Sequence, residues 1–274
     1  MWIKKSKVEE LSDNIRKIID GQSIDLRDNC EGVWGILKND IHTLANLKES
    51  RVNALQKERN AMSDTLANIS HQLKTPLTSM MVMADVLENA PLDKQTEFLE
   101  NIKAGLVRME WLVSALLKLS KLDAGVINFS EEKIQASKLV NLAMGPLQIL
   151  LDVKNQSIEI SNEVELICDM RWTSEALTNI IKNASEISPE DSIIRIELGK
   201  NPICKWISVT DCGAGIANIK IANLFKRFEN SGQSKGYGVG LPLALAIMRG
   251  QNGDIEVDGG GNGIGATFTL KFFR

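Results

Sequence analysis

The chain has 274 residues, of which 43% are hydrophobic and 24% charged, and its formal net charge is −3. These proportions are ordinary for a soluble globular protein, and the length allows two or three modest domains. The small negative charge gives no electrostatic reason to expect a nucleic-acid partner. The four cysteines form no C-x-x-C pair and only two histidines are present. We therefore expect neither structural zinc nor a disulfide framework.

Membrane segments are not expected within this chain, because it has no run of 18 or more apolar residues and no secretory signal. The first residues, MWIKKSK, are basic and include Trp2. Such a start is typical of a segment just inside a membrane, but it is equally typical of a solvated terminus.

The first part of the chain is predicted to be helical. Residues 8–19 form one amphipathic pattern that ends at Asp20-Gly21, where the glycine can serve as a C-cap. A polar stretch, 22–32, separates it from a helical pattern that runs from Trp34 to about residue 88. A helix of this length cannot bury its apolar stripe within one small domain, so the pattern favours a coiled-coil-like dimer.

A second long helix follows the break at Asn89-Ala90-Pro91. Asp93 is a candidate cap for it, and its pattern runs to about Leu122. The predicted apolar stripe comprises Phe98, Ile102, Leu106, Met109, Val113 and Leu116 or Leu117. Two antiparallel helices joined by a tight turn form a hairpin, and two hairpins would close a four-helix bundle.

The pattern changes after residue 128 to short alternating stretches and helices. Strands are predicted at 157–160, 192–198, 206–210, 254–257 and 266–272. Helices are predicted at 136–151 with a bend at Pro146, at 172–187 and at 242–249. Eleven of the 20 glycines lie from Gly232 to Gly265. This half of the chain is therefore predicted to be a mixed α/β domain with glycine-rich loops.

One histidine stands out on the long helix. Apolar residues spaced by threes and fours place His71 on the face opposite Ile69 and Leu73, toward solvent. Pro76 lacks an amide hydrogen and clashes with the carbonyl of Gln72, so a bend is expected beside the histidine. This arrangement is typical of a nucleophile held out on a rigid helix.

Three groups of residues in the second half of the chain are candidate ligand contacts. Asn179 and Asn183 are four residues apart on a predicted helix, so both amides can face one ligand. Asp211 precedes Gly213 and Gly215 at a strand end, where a buried carboxylate can accept an exocyclic amine. Glycines from Gly236 to Gly240 open another helix, whose N-terminal amides favour a phosphate.

Together these features resemble the sensor histidine kinases over residues 58–274. HQLKTPL at 71–77 is similar to the phosphoacceptor box of that family, and the later motifs are similar to its ATP-binding boxes in order and spacing. The resemblance implies a multidomain α and α+β fold. A long helical hairpin would form a dimeric four-helix bundle, followed by an α/β two-layer sandwich of the histidine kinase/Hsp90-like ATPase type.

The same resemblance implies domain boundaries. Residues 1–57 would be a HAMP-like or plain coiled-coil leader, in which His42 is expected at the surface. Residues 58–122 would be the dimerisation and phosphotransfer hairpin, 123–128 a linker and 129–274 the catalytic ATP-binding domain.

Site roles follow by resemblance. His71 would accept the phosphoryl group, Thr75 would occupy the family's phosphatase position, and Gln72 replaces the usual Glu or Asp, so it can fix the histidine tautomer without acting as a base. Asn183 would bind Mg²⁺, and Asn179, Lys182 and Arg227 would lie near the phosphates of ATP. Glu186 stands where most members have a basic residue. The remaining predicted nucleotide contacts are Asp211, Gly213, Gly215, Gly236, Gly238, Gly240, Leu241 and Thr267, with 216–235 as a lid over ATP.

The family resemblance also implies partners and a location. We expect a homodimer, a response-regulator receiver domain as partner, and a position in the cytoplasmic region of an inner (plasma) membrane sensor whose membrane segments lie outside this chain. Two other functions stay open. A chaperone-like or mismatch-repair-like ATPase is disfavoured by Asn179, where those enzymes carry a Glu. A weakly catalytic scaffold is favoured by Gln72 and Glu186.

Overall fold

The computed structural model describes residues 5–19, 33–87, 91–217, 221–228, 238–260 and 265–273. The chain divides into two compact units, Met1–Ala67 and Asn68–Arg274. Its first elements are helices α1 (Lys5–Ile19), α2 (Val33–Leu87) and α3 (Leu92–Asp123). Within the described ranges, none of the helices has the length and apolar character needed to cross a membrane.

The two helical patterns at the start of the chain are confirmed by α1 and the first part of α2. Leu11 of α1 is buried, whereas Leu44 and Leu55 of α2 are each 64% exposed. The proposed C-cap, Gly21, lies outside the described residues, and His42 is partly buried. A second chain could cover these exposed residues of α2, but the structure contains a single chain, so the coiled-coil dimer stays a prediction.

The helices α2 and α3 of the hairpin pack closely at Gly105. A Cβ on this glycine would lie 2.6 Å from Met80 Sδ, so a larger residue there would require the methionine side chain to shift. The start of α3 corrects one prediction: Pro91 occupies the N-cap position and Asp93 is already inside the helix. Proline suits a helix start because its φ is already helical and its missing amide hydrogen costs nothing there.

The buried stripe of α3 also differs from the predicted one. Leu106 and Val113 are exposed by 55% and 44%, whereas Leu112, Ala115 and Leu119 are at most 2% exposed. The latter three belong to the core of the domain that follows. The physical reason is that α3 carries two apolar faces and packs one of them against a neighbouring domain.

That domain begins after α3 with a two-stranded antiparallel sheet and a broken helix. Strand β1 (Glu132–Gln135) pairs with β3 (Glu165–Cys168). Between them lie α4 (Ala136–Met144), a 3₁₀ turn (Gly145–Leu147), α5 (Gln148–Val153) and β2 (Ser157–Ser161). The predicted interruption at Pro146 is confirmed by the 3₁₀ turn, since proline cannot continue the hydrogen bonding of α4.

The remaining elements are α6 (Met170–Ile187), β4 (Ile193–Lys200), β5 (Lys205–Thr210), α7 (Gly240–Gly250), β6 (Gly253–Asp258) and β7 (Thr267–Phe272). The main sheet has five strands in the order β2-β4-β5-β7-β6. Only β2 and β4 are parallel, and the other neighbours are antiparallel. Alternate sheet residues such as Ile207, Val209 and Phe268 are buried in the core that α4, α6 and α7 share.

All five predicted strands are confirmed to within two residues, as are the helices now seen as α6 and α7. The helical hairpin followed by an α/β two-layer sandwich is likewise confirmed. Strands β1 and β3 were not predicted.

Candidate active site

His71 lies on an exposed face of α2, as its helical phase predicts. Its neighbours Ile69 and Leu73 are partly buried and pack against the core of the second unit. Thr75 Oγ1 donates a hydrogen bond to the carbonyl of His71 at 3.2 Å. Pro76 lies inside the helix, which is continuous through this position. The imidazole is thus presented from a helix whose opposite side is fixed by packing.

Asp211 follows β5 and is 3% exposed. Its Oδ1 accepts hydrogen bonds from the amides of Gly213, at 2.8 Å, and Ala266, at 3.0 Å. Its Oδ2 is buried and has no hydrogen-bond partner among the described residues. Burial raises the pKa of this carboxyl, and the two amide bonds oppose that rise. A buried acceptor without a partner is costly, so this oxygen is suited to a donor supplied by a ligand.

The glycines around Asp211 allow this close arrangement. A Cβ on Gly265 would lie 1.8 Å from the carbonyl oxygen of Asp211, and one on Gly213 would lie 2.3 Å from Ile187 Cγ2. Gly215 has φ of +79°, a conformation that residues with a side chain rarely adopt. The predicted roles of Gly213 and Gly215 in shaping the turn therefore have a steric basis.

The two asparagines of α6 lie one helical turn apart and are both partly buried. Asn179 Nδ2 donates to the carbonyl of Glu175 at 3.0 Å. A Cβ on Gly240 would lie 3.1 Å from Asn179 Oδ1, so Asn179 lies against the start of α7. The N-cap residue of α7 is Val239, and none of the described residues caps this helix with a side chain. Its first amides are therefore available to an anion beside Asn179.

The two cations expected near the phosphates contact α3 instead. Lys182 Nζ lies 5.1 Å from the ring centroid of Trp111 and 3.9 Å from Glu186 Oε1. Arg227 Nη2 donates to Asp123 Oδ1 at 2.7 Å. Trp111 and Asp123 both lie on α3. Contacts with so distant a helix could not be predicted from a local motif. A phosphate role for either residue stays a prediction.

The structure describes only part of the predicted lid and of the glycine-rich segment that follows it. Phe228, which lies within the predicted lid, is buried in the core, and its amide donates to the carbonyl of Gly238 at 2.9 Å. Leu241 is partly buried against the same core. Gly236 lies outside the described residues, as does half of the predicted lid, 216–235.

Thr267 lies at the start of β7, and its contact with the nucleotide stays a prediction. Its hydroxyl shares a 2.9 Å hydrogen bond with the hydroxyl of Thr210, on the opposite sheet face from the buried Phe268. The two preceding residues contact Asp211: the amide of Ala266 donates to its Oδ1, and Gly265 lies against its carbonyl oxygen. The alternation along the predicted strand 266–272 indicated that Ala266 is buried, because Ala266 lies on the same face of the strand as Phe268.

A metal site made only of protein side chains is not present among the described residues, which contain no cluster of three or more His, Cys, Asp or Glu. Magnesium commonly binds few protein oxygens and takes the rest from phosphates and water. The half-buried amide of Asn183 fits such a single-ligand role.

Two family models match this chain. The model described as the His Kinase A (phospho-acceptor) domain matches residues 61–125, and the histidine kinase-, DNA gyrase B-, and HSP90-like ATPase model matches residues 168–274. The heme sensor protein HssS of Staphylococcus saprophyticus is 31% identical over 210 residues, which are 75% of this chain and 45% of that protein. The chain spans between 36% and 53% of the length of the first curated relatives that it matches.

Solved structures show the same fold. Histidine kinase ThkA in complex with the response regulator TrrA has a TM-score of 0.65 at 17% identity, over 82% of this chain and 65% of that one. Full-length ShkA in complex with AMPPNP has a TM-score of 0.57 at 24% identity, over 76% of this chain and 45% of that one. The hairpin carries the exposed His71 and coincides with the first family match, and the sandwich carries the buried Asp211 and coincides with the second. The chain belongs to the two-component sensor histidine kinases.

Proposed function

We propose that this chain binds Mg-ATP in its C-terminal domain and transfers the γ-phosphoryl group to His71. The observation that carries the proposal is Asp211 Oδ2, a buried acceptor with no partner among the described residues. The exocyclic amine of adenine is a donor of the required kind. The uncapped start of α7, beside Asn179, is suited to the phosphates at the other end of the same nucleotide.

The chemistry of transfer is largely positioning and neutralisation of charge. A lone pair of the neutral His71 ring attacks the γ-phosphorus, an N–P bond forms, and the bond to the β,γ-bridging oxygen breaks to leave ADP. The other ring nitrogen then releases its proton. Gln72 can accept a hydrogen bond from that N–H but cannot take the proton, so the proton passes to water. Magnesium, held through Asn183, would supply charge neutralisation at the phosphates.

We further propose that the phosphoryl group passes from His71 to an aspartate of a response-regulator receiver domain. The solved ThkA complex contains a response regulator, which supports this partner. For a response-regulator phosphatase activity, Thr75 is the residue we propose; its hydroxyl donates a hydrogen bond to the His71 carbonyl one helical turn earlier.

A homodimer is the proposed assembly. Leu77, Leu106 and Leu117 are exposed by 46%, 55% and 59% on the hairpin of the single chain. A second copy would cover these side chains in a four-helix bundle, and burial of apolar area would stabilise it. We propose that the assembly works as the cytoplasmic region of a plasma-membrane sensor, as the family resemblance implies.

The test is labelling with γ-³²P-ATP in wild type, His71→Gln and His42→Gln. His42 is the other histidine of the chain and serves as the matched control. We expect acid-labile label on wild type and His42→Gln, none on His71→Gln, and Mg-ATP binding in all three. Persistent label on His71→Gln would overturn the assignment. Absence of Mg-ATP binding in the wild type would instead favour the scaffold alternative.

A further inference from the structure

A short polar segment outside every motif discussed so far holds the C-terminal end of α6. Lys154, the residue after α5, donates from Nζ to the carbonyls of Ser185 at 2.6 Å, Glu186 at 3.2 Å and Ser188 at 3.0 Å. Carbonyls at the end of a helix lack intrahelical donors, and the helix dipole favours a cation there. The ammonium group of Lys154 therefore donates hydrogen bonds to three carbonyls at the C-terminal end of α6.

Gln156 supports the same point from a buried position. Its Nε2 donates to the carbonyls of Ser185, Ser188 and Pro189 at 2.8–3.2 Å, and its Oε1 accepts from Ser185 Oγ at 2.6 Å. Ser185 and Ser188 are themselves at most 2% exposed. A buried polar network with all its partners present fixes one geometry, because each broken bond would leave an unsatisfied group.

This network is connected to the nucleotide site at two points. Ser188 Oγ accepts a hydrogen bond from the amide of Cys212 at 2.9 Å, and Cys212 directly follows Asp211. Asn183, the candidate magnesium ligand, lies two residues before Ser185 in the last turns of α6. A displacement of the helix end would therefore move both the carboxylate for the base and the amide for the metal.

We infer that Lys154 is a positioning residue for nucleotide binding, acting through Ser188 on Asp211 and through the end of α6 on Asn183. The inference rests on the proposed function, in which these two residues bind Mg-nucleotide. Lys154 does not touch the ligand in this account. Its effect is to hold the two halves of the binding site at a fixed separation.

The experiment compares Mg-ADP affinity by calorimetry in the full chain for wild type, Lys154→Met, Lys154→Arg and Lys205→Met. Methionine keeps most of the apolar stem but removes the cation, and arginine restores a cation. Lys205 is a matched control, because its Nζ also donates to a backbone carbonyl, that of Glu165 on β3. Thermal unfolding without nucleotide measures the effect of each substitution on the fold alone.

We expect Lys154→Met to weaken Mg-ADP binding about tenfold, since charge-assisted bonds of this kind are worth about one decade or more in an equilibrium constant. Lys154→Arg should recover most of the affinity, and Lys205→Met should bind like wild type. In autophosphorylation assays Lys154→Met should raise the KM for ATP while kcat changes little, which a general loss of stability would not produce.

Equal Mg-ADP affinity in folded Lys154→Met and wild type would overturn the inference. If Lys154→Met does not fold, Ser188→Ala decides, because it removes only the hydroxyl that accepts from Cys212. A loss of about threefold or more supports the connection, and unchanged binding refutes it. If the wild type itself fails to bind Mg-ADP, the proposed function fails, and that result is distinct from a failure of the Lys154 inference.

Discussion

Replacing Asp211 by asparagine separates nucleotide recognition from folding. The two structural bonds of Asp211 both go to Oδ1, from the amides of Gly213 and Ala266, whereas Oδ2 has no partner among the described residues. Asparagine can keep the acceptor at Oδ1 and places an NH₂ group where Oδ2 was. The NH₂ group of asparagine is a hydrogen-bond donor, and so is the adenine amine. In the variant two donors would therefore face each other, and no hydrogen bond can form between them.

The expected loss of affinity follows from the missing bond. A hydrogen bond to a charged group contributes about 1.5–3 kcal/mol, so the variant should lose at least about 1.5 kcal/mol, or about tenfold in Kd. The effect on the free protein has the opposite sign. Burial raises the pKa of Asp211, which means that the folded state disfavours its ionised form. The stability lost by ionising Asp211 is zero at pH values below the usual carboxyl pKa and reaches its full size at pH values above the raised pKa. Asparagine does not ionise, so the variant should be at least as stable as wild type at neutral pH.

The assay measures Mg-ADP binding by calorimetry and thermal unfolding without nucleotide. Asp169→Asn is the control, because Asp169 is also buried and accepts amide bonds from Trp172 and Ser130 at the start of α6. We expect Asp169→Asn to keep its affinity and Asp211→Asn to lose it without losing stability. Binding of Mg-ADP by Asp211→Asn within about threefold of wild type would refute the reasoning, since a lost charged bond is worth more than that.

Three further outcomes are expected. Leu119→Ala should lower the free energy of unfolding, measured in urea, by about 2–4 kcal/mol, because it opens a cavity where α3 meets the domain core. The control Ile149→Ala, at an 80% exposed position, should change it by less than about 0.5 kcal/mol. Equal effects of the two substitutions would contradict the docking of α3. Gly265→Ala should abolish Mg-ADP binding, because its Cβ would lie 1.8 Å from the Asp211 carbonyl oxygen, and calorimetry showing wild-type affinity would contradict the close approach. Acidification should weaken Mg-ADP binding from a pH above the usual carboxyl range, because protonation removes the acceptor at Asp211, and titrations of Asp211→Asn should show no such dependence.

Regular elements were predictable from the sequence where burial alternates strongly along the chain. Strand β7 buries Phe268, Leu270 and Phe272 in turn, so its period of two was visible without a structure. Strands β1 and β3 were missed because each has only four residues, and β1 buries Ile134 alone. So short a stretch cannot show a period.

Site chemistry was predictable where a motif fixes its own geometry. Asp211 and its glycines form one turn, and their backbone requirements are local. The contacts of Lys182 and Arg227 depend on Trp111 and Asp123, which lie on a distant helix, so sequence spacing carried no signal for them. The same holds for Lys154, whose three carbonyl partners lie 31 to 34 residues later in the chain, at the C-terminal end of α6.

The measurement that tests the central claim most directly is mapping of the phosphorylated residue. The full chain is incubated with Mg-ATP, kept alkaline to preserve an N–P bond, digested and sequenced by mass spectrometry. We predict a single phosphoryl group on the peptide that contains His71, stable in alkali and lost in acid. A chain that binds Mg-ATP but carries its phosphoryl group on another residue, or carries none, would contradict the account.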